Sequence, residues 1–293
     1  MVVNEGDVKK MDIFFESDKE VISFCERLFQ QNKQIAVYWQ VHEKRGNQLT
    51  INEEPLNEII FQSIAVSLVD VYVTHRLRSI INEIIQDTYY FTDGHEIEQI
   101  YEHAEWIVTG EDEDCKILRK NKHPVQLLRA IFLMHIRNAQ NVHFDWIVQT
   151  GMKAFKQDLI HYVGLAIDEF KREEEHQSFI NTLREYIVKK EPVVPLIHVV
   201  GGNIFSYYKL SGRPYSKVEL RSIMEKVPLY LFGLPEEEWN LTPLIALAPE
   251  KIKLYVDDPS SPRTQTILNI FQERVDIQAY KDFPYTYSTI RNK

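Results

Sequence analysis

The sequence predicts an α+β protein: a helical middle segment flanked by a small N-terminal β-α-β-β unit and a C-terminal β-hairpin plus β-α-β unit, joined by a long helix. Three observations predict it. Short alternating apolar runs bounded by turn residues sit at both ends of the chain, around Ile35, Val37, Trp39 and Val41 and again over Lys251–Val256. Longer runs with apolar steps of three and four fill the middle. One such run, from about Asp145 to Glu191, carries the chain from the helical half into the mixed half.

Taken in order, Asp12–Glu16 reads as a strand, and Ser17 or Asp18 caps a helix whose apolar face is Val21, Ile22, Cys25, Leu28 and Phe29. Gln34–His42 is a strand, Arg45-Gly46-Asn47 a turn and Gln48–Ile51 the return strand. Pro55 opens a helix that runs to about Gln86, since a missing N–H costs nothing in a first turn. Its first half, Ile59–Val73, is apolar on most faces and belongs in a core. Asp93 caps a helix over His95–Val108, with Ile97, Ile100, Tyr101, Ala104 and Ile107 inward. Gly110–Asp114 is an acidic loop. Pro124 opens a helix with Leu127, Leu128, Ile131, Phe132 and His135 along one side.

In the central stretch the apolar stripe of Phe155, Leu159, Tyr162, Val163, Ala166 and Phe170 stops at Lys171–Ser178, which is wholly polar, and resumes at Phe179, Ile180, Leu183, Tyr186 and Ile187. Unbroken, such a helix would be ~65–70 Å long. A break or a bridge between two bodies is therefore expected, at 171–178 or at Gly151. Pro192 and Pro195 end the helix. Beyond it come a strand over Pro195–Val200, a two-residue turn at Gly201-Gly202, and a return strand over Asn203–Leu210. Helices follow at Tyr215–Glu225 and Glu236–Leu247. The strand Lys251–Val256, a helix carrying Thr266, Ile267, Ile270 and Phe271, and the strand Val275–Tyr280 make a β-α-β unit of two parallel strands. The segments divide as 1–52, 53–150, 151–191 and 192–293.

No apolar run approaches the ~18–20 residues that cross a bilayer, and the acidic opening Met-Val-Val-Asn-Glu-Gly-Asp has no secretory core. Cys25 and Cys115 stand alone, without metal-ligand spacing, as suits a reduced cytoplasm. The net charge of −9 is concentrated. Ser79–Cys115 contains no Lys or Arg and eleven carboxylates, Glu111, Asp112, Glu113 and Asp114 among them; the rest of the chain sums to −9 + 11 = +2. Such a face repels nucleic acid and anionic membrane. It is either a solvated surface or a docking face for a basic protein.

No phosphate-binding glycine loop, dinucleotide fingerprint, nucleophile elbow or zinc-protease motif occurs, which removes the common nucleotide, hydrolase and zinc-protease readings without excluding an enzyme; no catalytic residue, metal site or cofactor is assigned. The best polar constellation is Asp257, Asp258, Ser260 and Ser261. Carboxylates at the end of a parallel strand, before a helix N-terminus, are where α/β proteins place metal and phosphate chemistry; the same residues also make ordinary turns and caps. His198, within the strand Leu-Ile-His-Val-Val, would act as a base only with a carboxylate such as Asp257 to orient it. Glu173-x-x-His176 is half of a di-iron pattern inside a charged run. His95, Glu98 and Glu102 share a helix face beside the acidic patch. Arg119, Lys120, Lys122, Arg129 and Arg137 are the notable basic cluster, without the interleaved aromatics of a nucleic-acid surface.

Four stretches carry a resemblance: Phe179-Ile-Asn-Thr-Leu-Arg-Glu-Tyr-Ile-Val-Lys-Lys-Glu-Pro192, Leu196-Ile-His-Val-Val200, Leu247-Ala-Pro-Glu-Lys-Ile-Lys-Leu-Tyr-Val256 and Thr266-Ile-Leu-Asn-Ile-Phe-Gln-Glu-Arg-Val275. In them the chain resembles the YtxC-like sporulation protein family, best over residues 150–280. The resemblance implies a cytoplasmic protein associated with spore formation, and it brings no catalytic residues. The expectation is a protein that acts by contact with a protein partner, binding neither nucleic acid nor membrane. The alternative is a metal-dependent phosphate- or nucleotide-binding module or enzyme that uses the C-terminal β-α-β unit.

Overall fold

Two four-stranded sheets, one in each of two units, organise the described part of the chain. The units are residues 1–171 and 172–293. The structure, a computed structural model, describes residues 10–42, 46–52, 57–137, 139–202, 204–227, 233–234 and 238–285. Pro55, Arg45, Asn203 and Glu236, each expected to open or turn an element, lie outside them.

The first unit begins with β1 (Met11–Phe15), α1 (Asp18–Gln31), β2 (Val37–His42) and β3 (Gly46–Ile51). Ser17 caps α1 in a reciprocal box with Glu20, which satisfies two of the helix's orphan N–H groups. The face that α1 buries is Val21, Phe24 and Leu28. Ile22 and Phe29, expected inside, are exposed, because the inward steps run through Phe24 instead. The sheet order is β2-β3-β1-β4, with β1 antiparallel to β3 and parallel to β4 (Asn141–His143), a strand that three residues of sequence did not announce.

The helical layer comprises α2 (Glu58–His75), α3 (Leu77–Glu83), α4 (Gly94–Thr109), α5 (Glu113–Leu118) and α6 (Pro124–Arg137). The stretch expected as one helix to Gln86 breaks at Arg76, whose backbone (φ −120, ψ −33) leaves the helical region. The reason is electrostatic. Arg76 reaches Glu20 Oε1 and Asp145 Oδ1, each at 2.6 Å. Glu20 is 2% exposed, and a carboxylate so buried needs a cation beside it. Asp145 lies in α7 (Phe144–Trp146), a single turn followed by a π-helical turn, Ile147–Gly151. The Gly110–Asp114 loop is shorter than expected: Asp112 caps α5 by accepting the Cys115 N–H, and Glu113 and Asp114 form its first turn.

Helix α8 runs unbroken over Lys153–Lys189. The interruption of the central stretch is the π-helical turn ending at Gly151; at 171–178 the helix continues, fully solvated, and the two units divide between Lys171 and Arg172. Phe155, Leu159, Tyr162, Val163, Ala166 and Phe170 are buried in the first core and Ile180, Leu183 and Ile187 in the second.

The second unit continues with β5 (Leu196–Val200), β6 (Ser206–Lys209), α9 (Lys217–Met224), α10 (Thr242–Leu247), β7 (Lys251–Val256), α11 (Pro262–Phe271) and β8 (Val275–Ala279). Its sheet order is β6-β5-β7-β8; β5, β7 and β8 are parallel neighbours and β6 is antiparallel to β5. The two-residue turn at Gly201-Gly202 is not formed. Val200 pairs with Ser206, so residues 201–205 connect the strands. Gly201 instead donates its N–H to Tyr255 O, prolonging the β5–β7 ladder. Cations fasten this unit to helix ends: Lys190 Nζ donates to Ile245 O and Ala246 O, and Arg184 to Asn269 O. Exposed carbonyls at a helix C-terminus carry partial negative charge, so the contacts favour Lys and Arg.

Candidate functional site

Two places gather the sequence's candidate residues. The first is a cleft of about 390 Å³ at the carboxyl ends of β5 and β7. Gly201, Gly202, Phe205, Val256, Asp257, Asp258, Ser261, Arg263, Thr264 and Tyr280 contribute to its walls. The parallel pairing of β5 and β7 puts the residues after Val200 beside those after Val256, and α11 starts at Pro262 on the same rim. Side chains at Gly201 would crowd the cleft floor, since a Cβ there would lie 3.0 Å from Val256 Cγ1 and 3.2 Å from Tyr255 O.

The polar groups of this cleft are mostly bonded to one another. Asp258 Oδ1 accepts the Ser260 N–H at 2.9 Å and the Ser260 hydroxyl at 2.6 Å, which hold its carboxyl below the ordinary carboxylate range. Ser261 Oγ donates to Thr264 Oγ1 at 2.9 Å, so its hydroxyl does not cap α11. Asp257 and Asp258 are the cleft's carboxylates, and Arg263 brings the opposite charge to the same wall. A small polar ligand would find both signs of charge over an apolar floor. Among the described residues no group of three or more His, Cys, Asp or Glu is arranged to hold a metal ion. That includes His95, Glu98 and Glu102, of which Glu98 is paired with Arg78.

His198 does not line this cleft. Strand alternation puts Ile197 and Val199 into the core and His198 on the other face of the sheet. There its Nδ1 is 3.0 Å from Tyr255 Oη, and the ring packs against Tyr255, Phe283 and Tyr285. The expected Asp257 orienter is replaced by a phenol. Burial, with Lys253 alongside, lowers the imidazole pKa, so His198 sits neutral as a packing residue. The last described turn covers the sheet here: Tyr285 Oη donates to Leu210 O, and Phe283 packs on Tyr208 and Tyr255.

The second place is the acidic stretch on α4 and α5. Glu102, Glu111, Asp112, Glu113 and Asp114 are exposed. Three other contacts neutralise part of the stretch: Glu83 with Lys156, Glu98 with Arg78, and Glu113 with Lys116. Asp112 has a structural duty beyond its charge. It accepts from the Cys115 N–H, which holds its carboxyl low, and from Trp106 Nε1 at 2.9 Å. Cys115 is buried and its thiol is pushed up to about 11 by burial first and the Asp112 carboxylate second. Of the basic cluster, Arg119 is 5% exposed and donates to Val108 O, Lys122 pairs with Asp158 and Arg137 with Glu58. Glu173 and His176 point to solvent on α8.

Sequence reasoning missed the Glu20–Arg76–Asp145 clamp, and also Phe205, Arg263 and Tyr280 in the cleft. No spacing rule links residues 56 and 69 positions apart. The signal for Phe205 is its place in the connection after β5, beside the end of β7; Arg263 and Tyr280 come from α11 and the turn after β8, which no local pattern ties to the cleft.

By fold and site this is a two-sheet α+β protein with an acidic helical surface and a strand-end cleft. The chain belongs to the YtxC-like family, whose model matches residues 62–276. The match begins within α2 and ends within β8, so it takes in the helical layer and most of the second unit, reaching further toward the N-terminus than the expected 150–280 and stopping four residues short of its end. The chain is 32% identical over 205 residues to a Bacillus subtilis (strain 168) protein described as uncharacterized protein YtxC, covering 66% of this chain and 68% of that one. No solved structure matches it. No helix among the described residues is long and apolar enough to cross a membrane.

Proposed function

We propose that this protein acts in spore formation by contact with a basic protein partner, through the acidic surface of α4 and α5. The observation that carries the contact is the segregation of charge. Residues 1–171 hold 27 carboxylates against 18 Lys and Arg, and residues 172–293 hold 16 of each, so the whole net charge of −9 belongs to the first unit. Glu111, Glu113 and Asp114 lead this surface, with the 70% exposed Ile117 among them as an apolar anchor. Spore formation enters from the family resemblance, and the cytoplasm from two isolated, unpaired cysteines, Cys25 and Cys115, as suits a reducing compartment. The burial of Arg119, and the pairing of Lys122 and Arg137 with surface carboxylates, leave the basic cluster partly neutralised, which favours a protein partner over nucleic acid. The test is capture from extracts of sporulating cells with wild type and with Glu111→Gln/Glu113→Gln/Asp114→Asn, leaving the Asp112 cap intact. The reading expects one basic protein to be retained by wild type, released by salt and lost from the variant; equal retention by both would refute it.

A second reading is a small phosphate- or nucleotide-containing ligand in the cleft, met by Arg263 and bound with a metal ion that Asp257 and Asp258 would have to reorganise to hold; the mixed charge over an apolar floor is what favours it. It expects a nucleotide with divalent metal to raise the melting temperature of wild type but not of Asp257→Asn. A flat response would remove it.

A further inference from the structure

The edge of the first sheet is built unlike the rest of that unit. β2 pairs with β3 on one side, and among the described residues nothing pairs with its other side. Its six residues, Val-Tyr-Trp-Gln-Val-His, include no Lys, Arg, Asp, Glu or Pro. Solvent-exposed edges are normally blunted by such residues or by bulges, because free N–H and C=O groups template further pairing.

The side chains repeat the message. Val37, Trp39 and Val41 lie opposite Ile51, Leu49 and Asn47 of β3 and therefore share their face of the sheet. On β3 that face is sealed: Ile51 and Leu49 are 0% exposed and Asn47 2%. One strand further out, Trp39 is 44% exposed and Val41 70%, while Tyr38 on the other face is 58% exposed. The apolar layer of the core thus runs on past the helices that cover it. Trp39 is held in place, not loose: its Nε1 donates to Asn47 Oδ1 at 2.8 Å, and Asn47 Nδ2 donates to Asp18 Oδ1 at 2.9 Å.

We propose that β2 pairs with β2 of a second copy of this chain, antiparallel about a two-fold axis, so that two four-stranded sheets become one of eight. A two-fold axis perpendicular to the sheet keeps the core faces of both copies on the same side and sets Trp39 and Val41 of one copy against those of the other. Charge permits this occupant. Although the first unit carries −9, residues 10–52, which contain β1, α1, β2 and β3, hold six carboxylates and six Lys or Arg. Two copies meeting at β2 approach through a neutral region, with the acidic stretch on other elements.

The test is sedimentation equilibrium of the full chain across a wide concentration range, paired with hydrogen exchange at low and high concentration. Wild type is expected to dimerise reversibly, with β2 amides slowing as the dimer forms. Val41→Lys, at a position exposed enough to leave folding intact, is expected to weaken dimerisation at least tenfold and to abolish the slowing at β2. A urea midpoint equal to wild type at low concentration verifies that the variant folds. A chain that stays monomeric throughout, a dimer whose β2 amides exchange as in the monomer, or an undiminished dimer in Val41→Lys would each overturn the proposal.

Discussion

The two units solve the same problem, holding a small mixed sheet against helices, with opposite uses of charge. In the first, arginines serve the interior: Arg76 ties the buried Glu20 and the half-buried Asp145, Arg119 donates to Val108 O, and the excess of carboxylates is turned outward on α4 and α5. In the second, net charge is zero and cations close carbonyl ends, with Lys190 on α10, Arg184 on α11 and Arg274 on Pro249 O and Ile187 O. The difference shows that net charge is not diluted over this fold. One unit is self-compensated, and the other keeps a surplus that its own interior does not use.

The comparison is broken most severely at Arg76. Arg76→Ala leaves Glu20 buried without its cation and is expected to cost about 3–5 kcal/mol. Urea unfolding followed by hydrogen exchange should show the loss in the first unit's amides while those of β5 and β7 keep their protection. Equal loss in both units would mean that the clamp is not local.

Tyr207→Phe is the counterpart in the second unit. The buried hydroxyl shares its one hydrogen between Trp239 O at 2.9 Å and Asn240 O at 2.6 Å, just before α10, and its removal should cost about 1–3 kcal/mol in the same assay. Ser216→Ala, which opens the capping box at the start of α9, should cost about 1 kcal/mol.

Acid separates individual groups by the sign of their shift. In the second unit Glu219 is drawn from the ordinary 4.5 to about 2, first by Lys209 and then by the Ser216 N–H. Its contribution to stability is present above pH 4.5 and is lost as pH falls toward 2. His198, lowered by burial, acts in the same direction, costing stability as pH falls below its ordinary 6.5. In the first unit burial raises Asp145 despite Arg76, so the folded state holds that proton more tightly than the unfolded one. As pH falls through the raised value, Asp145 adds stability. The lowered carboxyls of the first unit, Asp93 and Asp112, lose their contribution in acid as Glu219 does, so the sign specific to Asp145 is read by comparison: between pH 7 and pH 3 wild type should lose less stability than Asp145→Asn, and equal losses would contradict it.

Much of the architecture was legible because it rests on local rules. Ser17, Asp93 and Pro124 mark helix starts where the structure begins α1, α4 and α6, and the alternation in Lys251–Val256 fixes a strand and its buried face. What escaped depends on contacts distant in sequence. The break at Arg76 answers Glu20 and Asp145. Strand β4 exists because β1 offers it a parallel edge. The Gly201-Gly202 pair reads as a tight turn until Tyr255 O claims the Gly201 N–H. Site legibility divides likewise. Asp257, Asp258 and Ser261 reach one cleft because they are neighbours after β7, whereas the partner of His198 is Tyr255, a residue 57 positions away that no local spacing could name.

The claim that the first unit's surplus charge is a working surface is tested most directly by a matched pair of variants. One neutralises Glu111, Glu113 and Asp114. The other neutralises three exposed carboxylates of the second unit, Glu225, Glu250 and Glu273. Both change net charge by the same amount, so nonspecific attraction falls equally. The account predicts that partner capture is lost with the first variant and retained with the second. Equal loss from both, or capture untouched by the first, would contradict it.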